Sequence, residues 1–294
     1  MREHAPLTIQ RVLTLRQVPG FGDAELSELA TIAENLVERT FLQGTTVAGP
    51  TTRVPGIHLV LEGRLESPSR QAWGPRQLFG ALEAIAGRPL TDRVVATTDT
   101  RTLQLATTDF AEILEDNYSV LSSARRMLAR RLAALDTGLV HRPRVLVGST
   151  VGPLGLVDRL LILRGQLPFA RASIQALSTL AQATEEIHFP ARTWVARAGE
   201  EADGLFMILD GMAKSHRVNG PDMLCSGSAI GALETLGELP FSTDVEAITA
   251  LRVLRLPSAA LYDVMEDHTD FSIALLGMLA SELLDLSQLP VEVN

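Results

Sequence analysis

The sequence predicts a mainly β protein with helices, built as two tandem jelly-roll (double-stranded β-helix) domains over residues 1–150 and 151–294, each flanked by N- and C-terminal helices. Three observations predict it. The chain repeats itself at an offset of about half its length. Within each copy, short apolar runs closed by turn residues follow one another without the strand–helix–strand alternation of a parallel sheet. Each copy also opens and closes on apolar residues at helical spacing.

The repeat is clearest in one loop. GALEAIAGRPLTDRVVA runs from Gly80 to Ala96 and GALETLGELPFSTDVEA from Gly231 to Ala247, an offset of 231 − 80 = 151. The other elements pair in the same order. LTIQRVLTLRQVPGF (Leu7 to Phe21) matches GLVDRLLILRGQLPF (Gly155 to Phe169), both with R-φ-L-x-L-R, where φ is apolar. DAELSELATIAENL and RASIQALSTLAQAT follow as helices; in the first, Leu26, Leu29, Ile32 and Leu36 fall on one face. GIHLVLEGRLE (Gly56 to Glu66) and GLFMILDGMAK (Gly204 to Lys214) read as buried strands running into a glycine turn. RTLQLATTDF and RVLRLPSAAL come next, and each copy ends in a long helical pattern. The join, GLVHRPRVLVGSTVGPLG from Gly138 to Gly155, is rich in Gly and Pro and places the cut near residue 150.

Composition narrows the function. A chain of 294 residues with 46% hydrophobic content can fill two cores. Cys225 is the only cysteine, which excludes a disulfide framework and, with no secretory leader in MREHAPLTIQRVLTLRQVPG, points to a reducing cytoplasmic location. No apolar run reaches the ~20 residues of a membrane span. The net charge of −9 argues against a nucleic-acid binder. The charge is uneven: residues 1–150 hold 17 Arg against 16 Asp and Glu, or +1, and residues 151–294 hold 8 Arg and 1 Lys against 19 Asp and Glu, or −10.

The order of elements resembles the cyclic-nucleotide-binding domain of the catabolite-activator and protein-kinase-A regulatory-subunit superfamily. The resemblance covers nearly the whole chain, in two degenerate copies. It is carried by LVLEG (Leu59 to Gly63) and MILDG (Met207 to Gly211), by the turn glycines Gly49 and Gly199, and by SGSAIG (Ser226 to Gly231) leading into the second loop. The repeated loops fall where that family has its phosphate-binding cassette, a short helix whose free N-terminal amides and dipole favour an anion.

The resemblance implies two ligand-binding side chains per cassette. One is a Glu directly after the glycine, for the ribose 2′-hydroxyl; the other is an Arg ten residues after the glycine, for the phosphate. Here the first position is Ala81 or Ala232 and the second is Leu90 or Phe241. None of the four can make the family contact. In the first copy Gly80, Glu83, Arg88, Thr91 and Arg93 are the candidates for a rebuilt anion site. Glu83 lies two residues past the lost Glu, about 200° around a helix; Arg88 and Arg93 are nearby cations, and Thr91 could donate a hydroxyl. In the second loop there is no Lys or Arg, and Glu234, Glu238, Asp244 and Glu246 would repel an anion.

Other patterns are weaker. The histidines His4, His58, His141, His188, His216 and His268 lack metal-ligand spacing, and no nucleotide-loop or nucleophile-elbow motif is present. Trp73 and Trp194 suit turn or core packing better than base stacking. The segment Arg125 to Arg144 holds six Arg and one acid and reads as an exposed helix face with an interdomain role. Leu121, Leu128 and Leu135, and Ile273, Leu276, Leu283 and Leu286, line helices that could form a homodimer or pack inside their own domain. Eight residues follow Leu286, too few for the winged helix-turn-helix of the family's transcription factors.

The expectation is a non-catalytic protein with neither metal nor cofactor, both nucleotide sites degenerate. It would act as an adaptor, scaffold or regulatory subunit through a protein partner, without membrane or nucleic acid. The alternative is a receptor for a cyclic nucleotide or another small anion, through the rebuilt site in the first copy.

Overall fold

The computed structural model describes residues 4–22, 24–50, 54–69, 71–135, 152–166, 169–217 and 220–287. The join at 138–151 and residues 136–144 of the arginine-rich segment lie outside the described residues. By contacts the chain divides into two units: residues 1–127 with 276–294, and residues 128–275. The divisions fall inside the two long helices that close each sequence copy, α5 (Tyr118–Ala134) and α10 (Thr269–Ser287).

In the first unit, helices α1 (His4–Arg16) and α2 (Leu26–Asn35) precede eight strands. These are β1 (Val37–Phe41), β2 (Thr46–Ala48), β3 (Gly56–Glu62), β4 (Leu65–Glu66), β5 (Ala72–Trp73), β6 (Leu78–Phe79), β7 (Val94–Ala96) and β8 (Thr100–Ala106). They form two antiparallel sheets, ordered β1-β8-β3-β6 and β2-β7-β4-β5. The nested antiparallel pairs β1/β8, β2/β7, β3/β6 and β4/β5 therefore fall alternately in the two sheets, which is the jelly-roll connection. A short helix α3 (Ala81–Ala86) interrupts between β6 and β7, and α4 (Thr107–Asp116) follows β8.

The second unit has the same plan. Helices α6 (Leu156–Gly165) and α7 (Ile174–Ala183) precede β9 (Glu185–Phe189), β10 (Trp194–Ala196), β11 (Gly204–Asp210), β12 (Ala213–Ser215), β13 (Asp222–Leu224), β14 (Ala229–Ile230), β15 (Val245–Ala247) and β16 (Leu251–Pro257). The sheets are β14-β11-β16-β9 and β10-β15-β12-β13. The short helix α8 (Ala232–Gly237) lies between β14 and β15, and α9 (Ser258–Asp267) follows β16. The glycine-closed runs of the sequence are the central strands β3 and β11, buried along most of their length. Each ends in a glycine with positive φ, Gly63 at +85° and Gly211 at +91°, where a Cβ would strike the backbone of the hairpin opposite.

Each sandwich has an apolar core of its own. In the first unit it includes Val60, Leu65, Phe79, Leu90 and Val94; in the second, Phe206, Ile208, Ile230, Phe241 and Val253. On α2 the buried stripe is Leu29, Ile32, Ala33 and Leu36. Leu26 is 57% exposed, against its expected place on that face. It stands in the first turn, and Ala33 completes the i, i+3, i+4, i+7 stripe without it. Trp73 packs on Phe79 with ring centroids 5.1 Å apart. Trp194 does not enter the core: it points outward from β10, 43% exposed.

Two ionisable groups are strongly shifted by this packing. In the second unit Glu186 on β9 accepts from Arg252 on β16 at 2.6 Å and from the Leu154 amide at 3.2 Å, while Arg252 also donates to the Gly152 carbonyl. The guanidinium hydrogen bond is the chief reason that the Glu186 carboxyl is held down to a pKa of about 2. In the first unit His58 on β3 is buried between Phe41 and Phe79, with Nδ1 3.1 Å from the Thr102 hydroxyl. Burial, then the positive charge of Arg39, lowers its pKa to about 4.

No helix among the described residues is long and apolar enough to cross a membrane.

Candidate functional site

The repeated loops form the short helices α3 and α8. Each starts from a glycine in the left-handed region, Gly80 at φ +81° and Gly231 at φ +76°. A side chain is excluded there by sterics as well as by φ. A Cβ on Gly80 would lie 2.9 Å from Val54 Cγ1, and one on Gly231 would lie 2.7 Å from Phe241 Cε1. The glycines thus let the helix start press against the sandwich. The first amides of each helix have no intrahelical acceptor, as at any helix start.

Apolar side chains lie against each helix start, Val54 at Gly80 and Phe241 at Gly231. Ala81 and Ala232 are the first residues of their helices and are half-buried. Leu90 is 5% exposed and belongs to the core with Val54, Val60, Phe79 and Val94. Phe241 is 7% exposed and sits against Phe206, its ring centroid 6.5 Å away. The backbone of Phe241 is pinned on both sides: its N–H donates to the Glu200 carbonyl at 2.8 Å, and its carbonyl accepts from the Gly199 N–H at 2.9 Å. The two positions where the resemblance expects a phosphate-binding arginine are therefore core positions of the sandwich.

The polar candidates of the first loop do not converge. Glu83 is half-buried on α3, and burial raises its carboxyl pKa, opposed in part by a backbone hydrogen bond and by Arg88. Arg88 turns away from the loop and pairs with Asp285 of α10 at 2.5 Å, also reaching the Ser281 carbonyl at 3.5 Å. Thr91 and Arg93 are exposed. In the second loop Glu234 accepts from the Ser242 hydroxyl at 2.5 Å, and Asp244 accepts from the Ala198 amide at 2.8 Å with Arg197 at 3.5 Å.

A feature the sequence did not announce is that a long helix lies against each short one within its unit. In the first unit, a Cβ on Gly277 of α10 would be 3.2 Å from the Ile85 carbonyl of α3. In the second unit, Arg130 of α5 donates to the Gly237 carbonyl, the last of α8, at 2.7 Å. Of the arginine-rich segment, Arg125 is only 2% exposed, against the expected exposed face. Leu121, Leu128, Leu276 and Leu283 are buried, and Leu135 is 49% exposed.

Among the described residues no group of three or more His, Cys, Asp or Glu side chains is placed to hold a metal ion.

The chain is similar to several known proteins. Residues 186–268 match the family model described as the cyclic nucleotide-binding domain. The patatin-like phospholipase domain-containing protein 6 of Pongo abelii is 24% identical over 84% of this chain and 16% of that protein. The chain thus spans about a sixth of the length of that curated relative. Similar solved structures include the regulatory domain of Toxoplasma gondii PKA with cAMP (18% identical, TM-score 0.38, covering 95% of this chain and 98% of that one). Another is the regulatory subunit of a cAMP-independent protein kinase A from Trypanosoma brucei (18% identical, TM-score 0.40, covering 99% and 92%). By the family model that matches it, and with the jelly roll into which it folds, the segment 186–268 is a member of the cyclic nucleotide-binding domain family.

Proposed function

We propose that the chain is a non-catalytic regulatory or adaptor module of two cyclic-nucleotide-binding-like copies, neither of which binds a cyclic nucleotide in the family manner. It works through protein–protein contacts, in the cytoplasm and without a cofactor. The observation that carries this reading is the burial of Leu90 and Phe241 in the sandwich cores, at the positions of the phosphate-binding arginine. A phosphate placed there would meet hydrocarbon, and an anion without a charged partner is not retained away from water. The relatives fit such a role: a matching region forms part of a much longer phospholipase-domain protein.

The test is calorimetry and thermal shift of the full chain with cyclic AMP, cyclic GMP and cyclic dinucleotides at millimolar concentration. A ligand at 100 times its dissociation constant adds about 2.7 kcal/mol of stability; no shift is expected. Stoichiometric binding abolished by Arg88→Ala would overturn the proposal and identify a receptor whose site is built from Gly80, Glu83, Arg88, Thr91 and Arg93.

A further inference from the structure

The outward face of sheet β10-β15-β12-β13 carries an apolar surface that its counterpart in the first unit lacks. The strand register sets Trp194, Glu246, Lys214 and Met223 in one row straight across the four strands. Beside it, Ile248 and Met212 form a second row, the Ile248 N–H donating to the Met212 carbonyl at 2.8 Å. The alternate residues Val245, Ala247, Ala213 and Leu224 are buried, so these rows face solvent. Trp194, Met223, Met212 and Ile248 are 43%, 52%, 41% and 38% exposed.

In the first unit the same register gives the row Thr46, Val95, Glu66 and Ala72. Beside it stand Thr97 and Arg64, joined by the equivalent hydrogen bond of 2.9 Å. There the face is closed by an ion pair of Arg64 with Glu66 at 2.5 Å. One backbone thus supports two surfaces, and the jelly roll does not require the apolar one. Exposed tryptophan, two methionines and an isoleucine at the four positions where the sister copy is polar or small mark an interaction surface.

We infer that this face binds the same face of a second copy of the chain, about a twofold axis running along the strands between β15 and β12. The charges select this occupant. Rotation about that axis lays each row on its own reverse. Glu246 then meets Lys214 of the second copy, Trp194 meets Met223 of the second copy, and Met212 meets Ile248 of the second copy. These are an ion pair, a sulfur–aromatic contact and an apolar contact. A twofold axis across the strands would set Lys214 on Lys214 and Glu246 on Glu246, and is excluded by repulsion. Glu246 already lies 3.6 Å from His216 Nε2, and an acidic or a basic partner would set a like charge on Glu246 or on Lys214 respectively. Arg197, 4.3 Å over the Trp194 ring, and His216, 5.7 Å from it, hold the indole in place and lower the ordering cost. Four strands about 4.8 Å apart make a small face, well under the roughly 800 Å² per partner of a standard interface. The association is therefore weak and concentration-dependent.

Sedimentation velocity of the full chain, from about 10 μM to about 1 mM, tests this. The wild-type chain should shift from monomer to dimer. Trp194→Thr with Met223→Ala, the residues of the first unit, should weaken the dimer at least tenfold. Lys214→Glu and Glu246→Lys should each abolish it, and mixing these two variants in equal amounts should restore a dimer. In each variant alone the paired positions carry like charges, within one chain and between copies. Restoration on mixing therefore cannot arise from repaired folding. A wild-type chain that stays monomeric, or a mixture that fails to dimerise, would overturn the inference. So would a dimer that persists in every variant, which would place the contact elsewhere, for instance along the C-terminal helices.

Discussion

Phe241 holds its ring against Gly231: a Cβ on that glycine would lie 2.7 Å from Phe241 Cε1. The aromatic ring thus presses on the start of α8, where the resemblance expects a nucleotide phosphate. Gly231→Ala meets both this ring and a φ of +76°, and should destabilise the second unit by roughly 2–3 kcal/mol in urea unfolding. In a Phe241→Leu background part of that cost should be recovered, with a coupling of at least about 0.5 kcal/mol.

Leu90 makes the corresponding prediction for the first unit. Leu90→Arg puts a charge among Val54, Val60, Phe79 and Val94. Stability should fall by several kcal/mol, on the order of 3 or more. Adding millimolar cyclic AMP should leave the melting temperature of this variant unchanged.

His58 makes the first unit sensitive to mild acid. Its folded pKa of about 4 is below the ordinary 6.5, so the unfolded chain takes up the proton first. The stabilising preference for neutral imidazole is fully present above pH 6.5 and is lost as pH falls from 6.5 towards 4, up to roughly 3 kcal/mol. His58→Phe, the residue at the matching position Phe206 of the second copy, should flatten the stability profile between those pH values while leaving its lower limb.

The lower limb belongs in part to Glu186. Its pKa of about 2 is below the ordinary 4.5. Its contribution is therefore present above pH 4.5 and lost as pH falls from 4.5 towards 2, reduced by solvent screening of the pair. Glu186→Gln should lower stability at pH 7 and weaken the dependence on pH in that window, measured by denaturant titration at a series of pH values.

Arg88→Ala removes the ion pair with Asp285, whose side chain is 60% exposed. A pair so open to water contributes little, and the change in stability should stay below about 1 kcal/mol.

The strand runs ending at Gly63 and Gly211 and the short helices after Gly80 and Gly231 were legible in the sequence, because apolar runs and glycine punctuation act locally. That Ala81, Leu90, Ala232 and Phe241 stand where the resemblance expects ligand side chains was legible too, by counting from a glycine. That Leu90 and Phe241 become core residues was not, because it depends on which side of a strap faces the sheets. Nor was the partner of Arg88, nearly two hundred residues away. The outward row of Trp194, Glu246, Lys214 and Met223 was hidden for another reason: its members come from four separate strands, and only register brings them into line. A signal existed in the repeat itself, where Thr46, Arg64 and Thr97 stand opposite Trp194, Met212 and Ile248.

The strap at Phe241 also bears on how such a domain could change. A single exchange to arginine would remove a core ring before any phosphate partner was bound, and a glutamate at Ala232 alone would have no ligand to hold. The first exchange lowers the stability of the fold without a compensating contact, so a phosphate-binding arginine at this position is reached only through a destabilised intermediate. At this strap the shape of the second unit is maintained by its own side chains, Phe241 against Phe206 and against the start of α8 at Gly231.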